Sequence, residues 1–519
     1  MELSGISQAV VATEGGLPFL TMLFLVPVLG MLTILFIPKD KNEVIKTIAA
    51  VATGIPLLLT CYLWVNFDYG NTAMQWVEKC SWIEAFNIEY HVGIDGLSIP
   101  LVFLTALLLF IAVFSSWNID KTKGGAKGYF MLLLLLEVGI VGVFIALDFF
   151  LFYVFWEIML LPMYFLIGIW GGPRREYAAI KFFLYTLVGS VLMLIAMIAL
   201  YLVSEPHTFN IVTLTELGRA DKLTGEGLVN GGVFMGVKFI SWVWMFFFIG
   251  FAIKVPVFPF HTWLPDAHVE APTAISVILA GILLKLGGYG IFRINFGMMP
   301  EATKYFCHFL AILGMINIVY GALVAMAQTD FKKLVAYSSV SHMGYVLLGA
   351  ASLTTAGMLG ANFQLFAHGT SSAMLFLLVG VVYDRAHHRD INGFGGIAQI
   401  MPRYMGWATI GIFASLGLPG LSGFVAEALS LLGAWQVYPL YTVISLSGLI
   451  VTAAFFLWTI QRIFLGPLNE KYKDMPDVNG RELFCLIPLG ALCLVLGIFP
   501  YLLLDWMAPA IENMLSFLK

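Results

Sequence analysis

The sequence predicts an all-α polytopic membrane protein of about 14 transmembrane helices. Composition is the first ground. Of its 519 residues, 60% are hydrophobic and only 11% charged, too few charges to cover a water-soluble fold of this size. Length pattern is the second: apolar runs near the ~20 residues that span a bilayer recur along the whole chain. Charge placement is the third, because basic residues fall unevenly between alternate loops.

Read in order, the candidate spans are 17–37, 47–67, 98–115, 129–147, 149–170, 180–203, 239–260, 272–295, 305–327, 334–351, 357–383, 404–435, 441–465 and 483–504. The first, LPFLTMLFLVPVLGMLTILFI, lacks a basic flank before it and a small-residue cleavage site after it. It reads as a retained helix rather than a secretory signal. The longest polar stretches, 68–97 and 204–237, read as loops. With the first loop (Lys39, Lys41, Lys46) taken as cytoplasmic, alternation places most of the 27 Lys and Arg on that side. The opposite side receives only Lys79, Arg219, Lys222, Lys238, Arg293, Lys304 and Lys519. This bias predicts both termini outside. A net charge of −4 offers no basic surface for nucleic acid. The five cysteines are scattered without a CxxC pair, against an iron–sulfur cluster or structural zinc.

Two spans are expected to be broken. Pro256, Pro259 and Pro265 follow Lys254 in span seven, and LGLPGLSGF precedes Glu427 in span twelve. Backbone freed by proline and glycine survives at membrane depth only inside protein or beside a wet cavity. The breaks lie five spans apart. Five is odd, so a second copy enters from the opposite side, and spans 4–8 and 9–13 are candidate inverted repeats. The division is then 1–128 as an N-terminal three-helix region, 129–295 and 303–465 as the repeats, and 466–519 as a C-terminal loop and last helix.

Ionisable residues inside apolar runs carry the functional reading, since each costs about 2.5–3.5 kcal/mol at mid-bilayer. Lys254 ends SWVWMFFFIGFAIK, Lys285 lies in AISVILAGILLKLGGYGIF, Glu157 in LFYVFWEIMLLP and Glu427 in GFVAEALSLL. Together they read as a path for protons or small cations. The bland alternatives are a static Glu157–Lys254 ion pair, snorkelling of Lys254, and capping of a half-helix by Glu427. His261 and His268 flank LPDA, seven residues apart; a helix places them on one face, where relay suits them better than metal binding. His342 and His368 lie beside Ser and Thr in spans ten and eleven, as a hydrated line or as interhelical hydrogen bonds. Glu137 is a further buried acid in span four, Asp148 reads as interfacial, and Asp330, Lys332 and Lys333 as capping span ten. No nucleophile motif, phosphate loop or dinucleotide fingerprint appears, so no catalytic residue or redox centre is assigned.

The blocks FWEIMLLPMYFLIGIWGG, KVPVFPFHTWLPDAHVEAPTAISVILAGILLK, DFKKLVAYSSVSHMGYVLLG, HGTSSAMLFLLVGVVYDRAHHRDINGFGG and LPGLSGFVAE resemble the antiporter-like proton-translocating subunits of respiratory complex I. The resemblance runs from about 90 to 465. It is greatest to M-type members, chain 4 in mitochondria: no lateral helix follows span fourteen, and Glu427 stands where L and N types have lysine. It implies a bacterial inner-membrane subunit beside L- and N-type neighbours and lipid. Flavin, iron–sulfur clusters and quinone belong to partner subunits, with no cofactor in this chain. It further implies that Glu157 pairs with Lys254, Lys285 is the central relay and Glu427 the exit acid. His261, His268, His342 and His368 become residues of a hydrated axis. A subunit of a multi-subunit sodium/proton antiporter or of a membrane-bound hydrogenase is the alternative.

Overall fold

A computed structural model describes residues 18–122, 124–226, 228 and 232–518. The N-terminal end and Lys519, both assigned above to the outside, fall beyond the described residues. Among those described, 11 helices are long and apolar enough to cross a membrane, and the protein is a mostly helical, multi-span membrane protein.

Helices α1 (Phe19–Phe36) and α2 (Asn42–Val65) pack on each other and on α3 (Ile99–Ser115) and α4 (Ala126–Ile145). Helix α5 (Phe149–Trp170) is interrupted at Met159. The cause is local: Pro162 has no N–H to give to the Ile158 carbonyl. Helix α6 (Arg175–Val203) carries an outward stripe of Ile180, Leu184, Val188, Val191 and Ile195, all exposed on the isolated chain. Spacings of three and four put these on one face, suited to lipid or a neighbouring subunit.

The polar stretches are more structured than loops, and the all-α expectation is corrected there. Strands β1 (Gln75–Ile83) and β2 (Ile88–Ile94) form an antiparallel hairpin, turning at Asn87 with φ 51°. Aromatic and β-branched residues such as Trp76, Val77, Trp82, Tyr90 and Val92 suit a strand. The hairpin closes the start of α1, where Glu78 accepts from Leu20 N (2.7 Å) and Thr21 N (3.1 Å). Those two amides have no partner within the helix. Helix α7 (Ile211–Arg219), capped by the Asn210 side chain, lies in the second polar stretch, followed by the two-residue strands β3 (Val233–Phe234) and β4 (Val237–Lys238).

Helix α8 (Phe239–Lys254) ends at Lys254, not at Phe260 as the apolar run suggested, and the chain resumes as α9 (Trp263–Glu270). Helix α10 (Thr273–Phe296) contains two π-helical stretches, Leu279–Leu283 and Ile291–Phe296. Helices α11 (Pro300–Met326), α12 (Phe331–Ala351) and α13 (Thr355–Ala386) follow. Helices α11 and α12 approach closely at Gly314 and Gly344: a Cβ on Gly344 would meet the Gly314 carbonyl at 2.7 Å. The second expected break separates α14 (Pro402–Ser415) from α15 (Ser422–Val437). Helices α16 (Pro439–Ile463), α17 (Gly480–Ile498) and α18 (Tyr501–Leu518) complete the chain. The last was not expected as a separate helix. Pro500 and its own amphipathic pattern set it off, with Leu503, Met507, Ile511 and Met514 buried. The centre of the molecule is α10, α12 and α13, whose membrane-length cores are almost wholly buried, while α1, α2, α6 and α16 form the periphery.

Candidate functional site

Four ionisable groups from four helices meet in this centre. Lys285 of α10 is fully buried, immediately after the π-helical turn Leu279–Leu283. Its ammonium donates to the Ala280 carbonyl (2.5 Å) and contacts Nδ1 of His368 on α13 (2.8 Å). The imidazoles of His368 and His342, the latter on α12, lie 5.5 Å apart between centroids and tilt by 39°. His342 Nδ1 in turn lies 3.1 Å from Glu427 Oε1 on α15. Each of the four is 3% exposed or less, so solvent does not screen them. Around this line His342 Nε2, His368 Nε2, Glu427 Oε2, Tyr345 Oη and Ser430 Oγ are buried without a protein partner. Such a density of unmet polar capacity is unusual in a packed core.

Gly417 in the second break, with φ +80°, faces the carboxylate, and a Cβ there would lie 2.6 Å from Glu427 Oε2. Glu427 is the sixth residue of α15, past the first turn, so it does not cap the half-helix. Gly417→Ala is expected to displace the carboxylate and to cost about 1–2 kcal/mol in backbone strain. A thermal melt and proton uptake by the assembled variant read both effects.

The first break presents Lys254. Its Nζ lies over the rings of Trp156 (5.2 Å) and Phe182 (5.6 Å), is buried, and has no hydrogen-bond partner. Among the described residues no carboxylate oxygen lies within 4.0 Å of its Nζ, so Lys254 and Glu157 do not form the expected contact ion pair. Glu157 is half-buried on α5, beside the Met159 interruption, near enough for its charge to act on Lys254 but not in contact with it. Snorkelling is also absent: the ammonium is enclosed by aromatic faces.

His261 and His268 do not share a helix. His261 sits in the turn between α8 and α9, packed between Phe258 and Tyr320, while His268 lies within α9 with its ring stacked on Phe376 at 4.5 Å. The helix stops at Lys254 and restarts only at Trp263, so seven residues no longer mean one face. Phe376 lies eight residues along α13 from His368, about 12 Å by helical rise. Glu137 is fully buried on α4 with neither oxygen partnered, and the structure does not bring it to the central line. Asp148 stands at a helix end, buried within the chain and capping α5 through Phe150 N and Leu151 N. Asp330 caps α12 as expected, whereas Lys332 is buried and donates to the Ala271 carbonyl (2.5 Å). Among the described residues no group of three His, Cys, Asp or Glu is placed to hold a metal.

Sequence reasoning missed the residues that hold these breaks open. Asn317 of α11 receives Phe258 N–H (2.8 Å) and donates to the Pro256 carbonyl (3.0 Å). The Trp263 indole donates to the Ile253 carbonyl (2.8 Å), and Arg389 donates to the Val269 carbonyl (2.6 Å). A lone amide in the apolar run GMINIVYG was the available signal for Asn317. Asn317→Ala orphans two buried backbone groups at about 1–3 kcal/mol each. It is expected to lower the thermal midpoint and the yield of assembled complex; an unchanged melt contradicts this.

The comparisons now bear on this geometry. A family model described as NADH:quinone oxidoreductase/Mrp antiporter, TM, matches residues 146–454, and one described as NADH-ubiquinone oxidoreductase chain 4, amino terminus, matches 21–142. The chain belongs to the NADH:quinone oxidoreductase/Mrp antiporter family. Within it, the chain is 44% identical to NADH-quinone oxidoreductase subunit M of Rhodobacter capsulatus, over 92% of this chain and 91% of the relative. It is 39% identical to F(420)H(2) dehydrogenase subunit M of Methanosarcina mazei, over 96% of this chain and 98% of the relative. A chain of respiratory complex I from Thermus thermophilus superposes with a TM-score of 0.84 at 31% identity, covering 96% of this chain and all of that one. A chain of the Mrp complex from Dietzia shares the fold of this family at 21% identity, with a TM-score of 0.83.

Proposed function

We propose that the chain is the M-type proton-translocating subunit of a respiratory NADH-quinone oxidoreductase, set in its membrane arm. The observation that carries this is the buried series Lys285, His368, His342 and Glu427, each within reach of the next. Membrane-buried ionisable groups in a row suit proton relay, and imidazole exchanges protons near neutral pH. The unpartnered nitrogens and hydroxyls around them favour bridging by water. Identity to subunit M relatives and the likeness to a complex I chain support the same assignment.

In this reading NADH oxidation and quinone reduction occur in partner subunits holding flavin and iron–sulfur clusters. A charge change in a neighbour alters the field at Glu157, half-buried on α5. Lys254, held unpaired over Trp156 and Phe182, then yields its proton toward Lys285, and Glu427 releases it. Driving one proton against 100 mV takes about 2.3 kcal/mol. The direct Glu157–Lys254 contact implied by resemblance becomes an approach made during turnover. His261 and His268 line the way from the first break, and Glu137 is a reserve acid beside α5. The count of 14 crossings, the two inverted five-helix repeats, the four-part division of the chain, and L- and N-type neighbours belong to the same proposal. So does placement in a bacterial inner membrane with both termini periplasmic.

A second reading is favoured by the Methanosarcina relative, whose electron donor differs, and by the shared Mrp fold. There the same relay serves another donor or a sodium/proton antiporter. Purification of the tagged chain from its own membranes separates the two. Co-purifying flavin and iron–sulfur subunits with NADH-driven proton uptake are expected; sodium-dependent exchange without redox partners contradicts the proposal.

A further inference from the structure

One feature outside the relay is a cavity of about 530 Å³ between the β1–β2 hairpin, α7, the end of α10 and α18. Arg219, on its wall, uses Nε to donate to the Gly297 carbonyl (3.1 Å) and lays its guanidinium on the Phe517 ring at 4.1 Å. Among the described residues no carboxylate lies within 4.0 Å of Arg219, and neither Nη has a protein acceptor. The neighbouring cations differ: Arg293 is paired with Asp95 (2.5 Å) and Lys79 with Glu89 (2.9 Å). Burial, then the field of Arg293, presses the Arg219 pKa down to about 10, with the Glu216 carboxylate pulling the other way.

The cavity also offers a fixed neutral donor. The Asn210 amide nitrogen lies 3.0 Å from His91 Nδ1 and can only donate, so Nδ1 accepts and Nε2 carries the hydrogen. Burial, then the charge of Lys79, holds His91 down at about 4, so the ring stays neutral at physiological pH. The rest of the lining mixes apolar Met74, Val77 and Met514 with polar Thr215 and Asn513 and the exposed carboxylate of Glu216, which makes no ion pair with Arg219 within 4.0 Å. A guanidinium fork, a neutral N–H and an apolar wall together suit an esterified or free phosphate.

We infer that this cavity binds a phosphate anion, with Arg219 as its principal ligand. The group is either a phospholipid headgroup or free phosphate. The test uses the whole complex purified from membranes and washed in detergent. Retained phospholipid is counted by mass spectrometry, and orthophosphate binding is measured separately with radiolabel. Arg219→Ala and Thr215→Trp, which fills the cavity without removing charge, are compared with Arg219→Lys. Neither Arg219 nor Thr215 belongs to the relay, so redox turnover checks that each complex is intact. Loss of one retained phospholipid in the first two variants, but not in Arg219→Lys, supports a headgroup. An orthophosphate affinity at least about tenfold weaker in the same two, with lipid count unchanged, supports free phosphate. Equal lipid retention and equal orthophosphate binding in all variants overturn the inference.

Discussion

Replacing Lys285 by methionine is expected to abolish proton movement through this subunit while leaving the helices in place. Lys285 is fully buried, and its ammonium makes the side-chain hydrogen bond from α10 to His368. Methionine keeps the length and fills the space, but it cannot hold a proton. The loss of one partner of a buried charged contact is worth about 3–5 kcal/mol. Expressed as a barrier to proton transfer, that slows the step by about two to four orders of magnitude. The measurement is dye-reported proton uptake in proteoliposomes, with electron transfer followed in parallel. Arginine at 285 separates charge from proton exchange, because it stays protonated at all accessible pH. Both variants fail if exchange matters; rescue by arginine means that Lys285 supplies a fixed positive charge only.

Lys254→Met carries the second large effect, and its sign on stability is opposite to that of an ordinary core lesion. The ammonium has no carboxylate within contact distance and no hydrogen bond; only the Trp156 and Phe182 faces offset its burial. An apolar side chain of similar length removes that cost, so the subunit is expected to melt at a higher temperature, with a gain of about 1–4 kcal/mol. Proton uptake is expected to fall to background in the same protein. A residue retained at a cost to stability is a residue retained for work. If the variant melts lower and pumps normally, Lys254 is structural.

Much of this site was legible before any coordinates. Lysine and glutamate inside apolar runs, and prolines or glycines just beside them, marked Lys254, Lys285, Glu427 and both helix breaks, because lipid makes such residues expensive. What the sequence did not supply was contact. The proximity of Glu157 to Lys254 in the expected packing does not fix a distance, and Lys254 settles over the Trp156 ring instead. The seven-residue spacing of the two histidines of HTWLPDAH puts them on one face only if a single helix carries both; the chain instead turns for eight residues after Lys254. Asn317 escaped notice because a single amide in an apolar helix gives no hint of its partner, which lies 59 and 61 residues away. The hairpin was missed for a different reason. Its strands carry charged and polar residues throughout, and their alternating pattern is faint beside the long apolar runs that dominate the chain.

The Asp95–Arg293 pair is a further product of tertiary structure. Asp95 precedes α3 and Arg293 belongs to the second π-helical stretch of α10, 198 residues apart, yet they meet at 2.5 Å. Charge alternation had put Arg293 in an outside loop. The pair, with Tyr289 donating to the Phe144 carbonyl (3.1 Å), ties α10 to the first helices of the chain. This tie lies one helical turn beyond Tyr289 and two beyond Lys285, so it fixes the orientation of the face that Lys285 occupies.

The groups in α10, α13, α12 and α15 act as one conductor, in which His368 bridges Lys285 and His342. The most direct measurement is the number of protons moved per electron pair in proteoliposomes bearing the intact complex with His368→Phe, which preserves the ring volume. The account predicts that this ratio falls relative to the unaltered complex, with His342 and Glu427 still in place. A ratio equal to that of the unaltered complex, in a fully assembled variant, contradicts it.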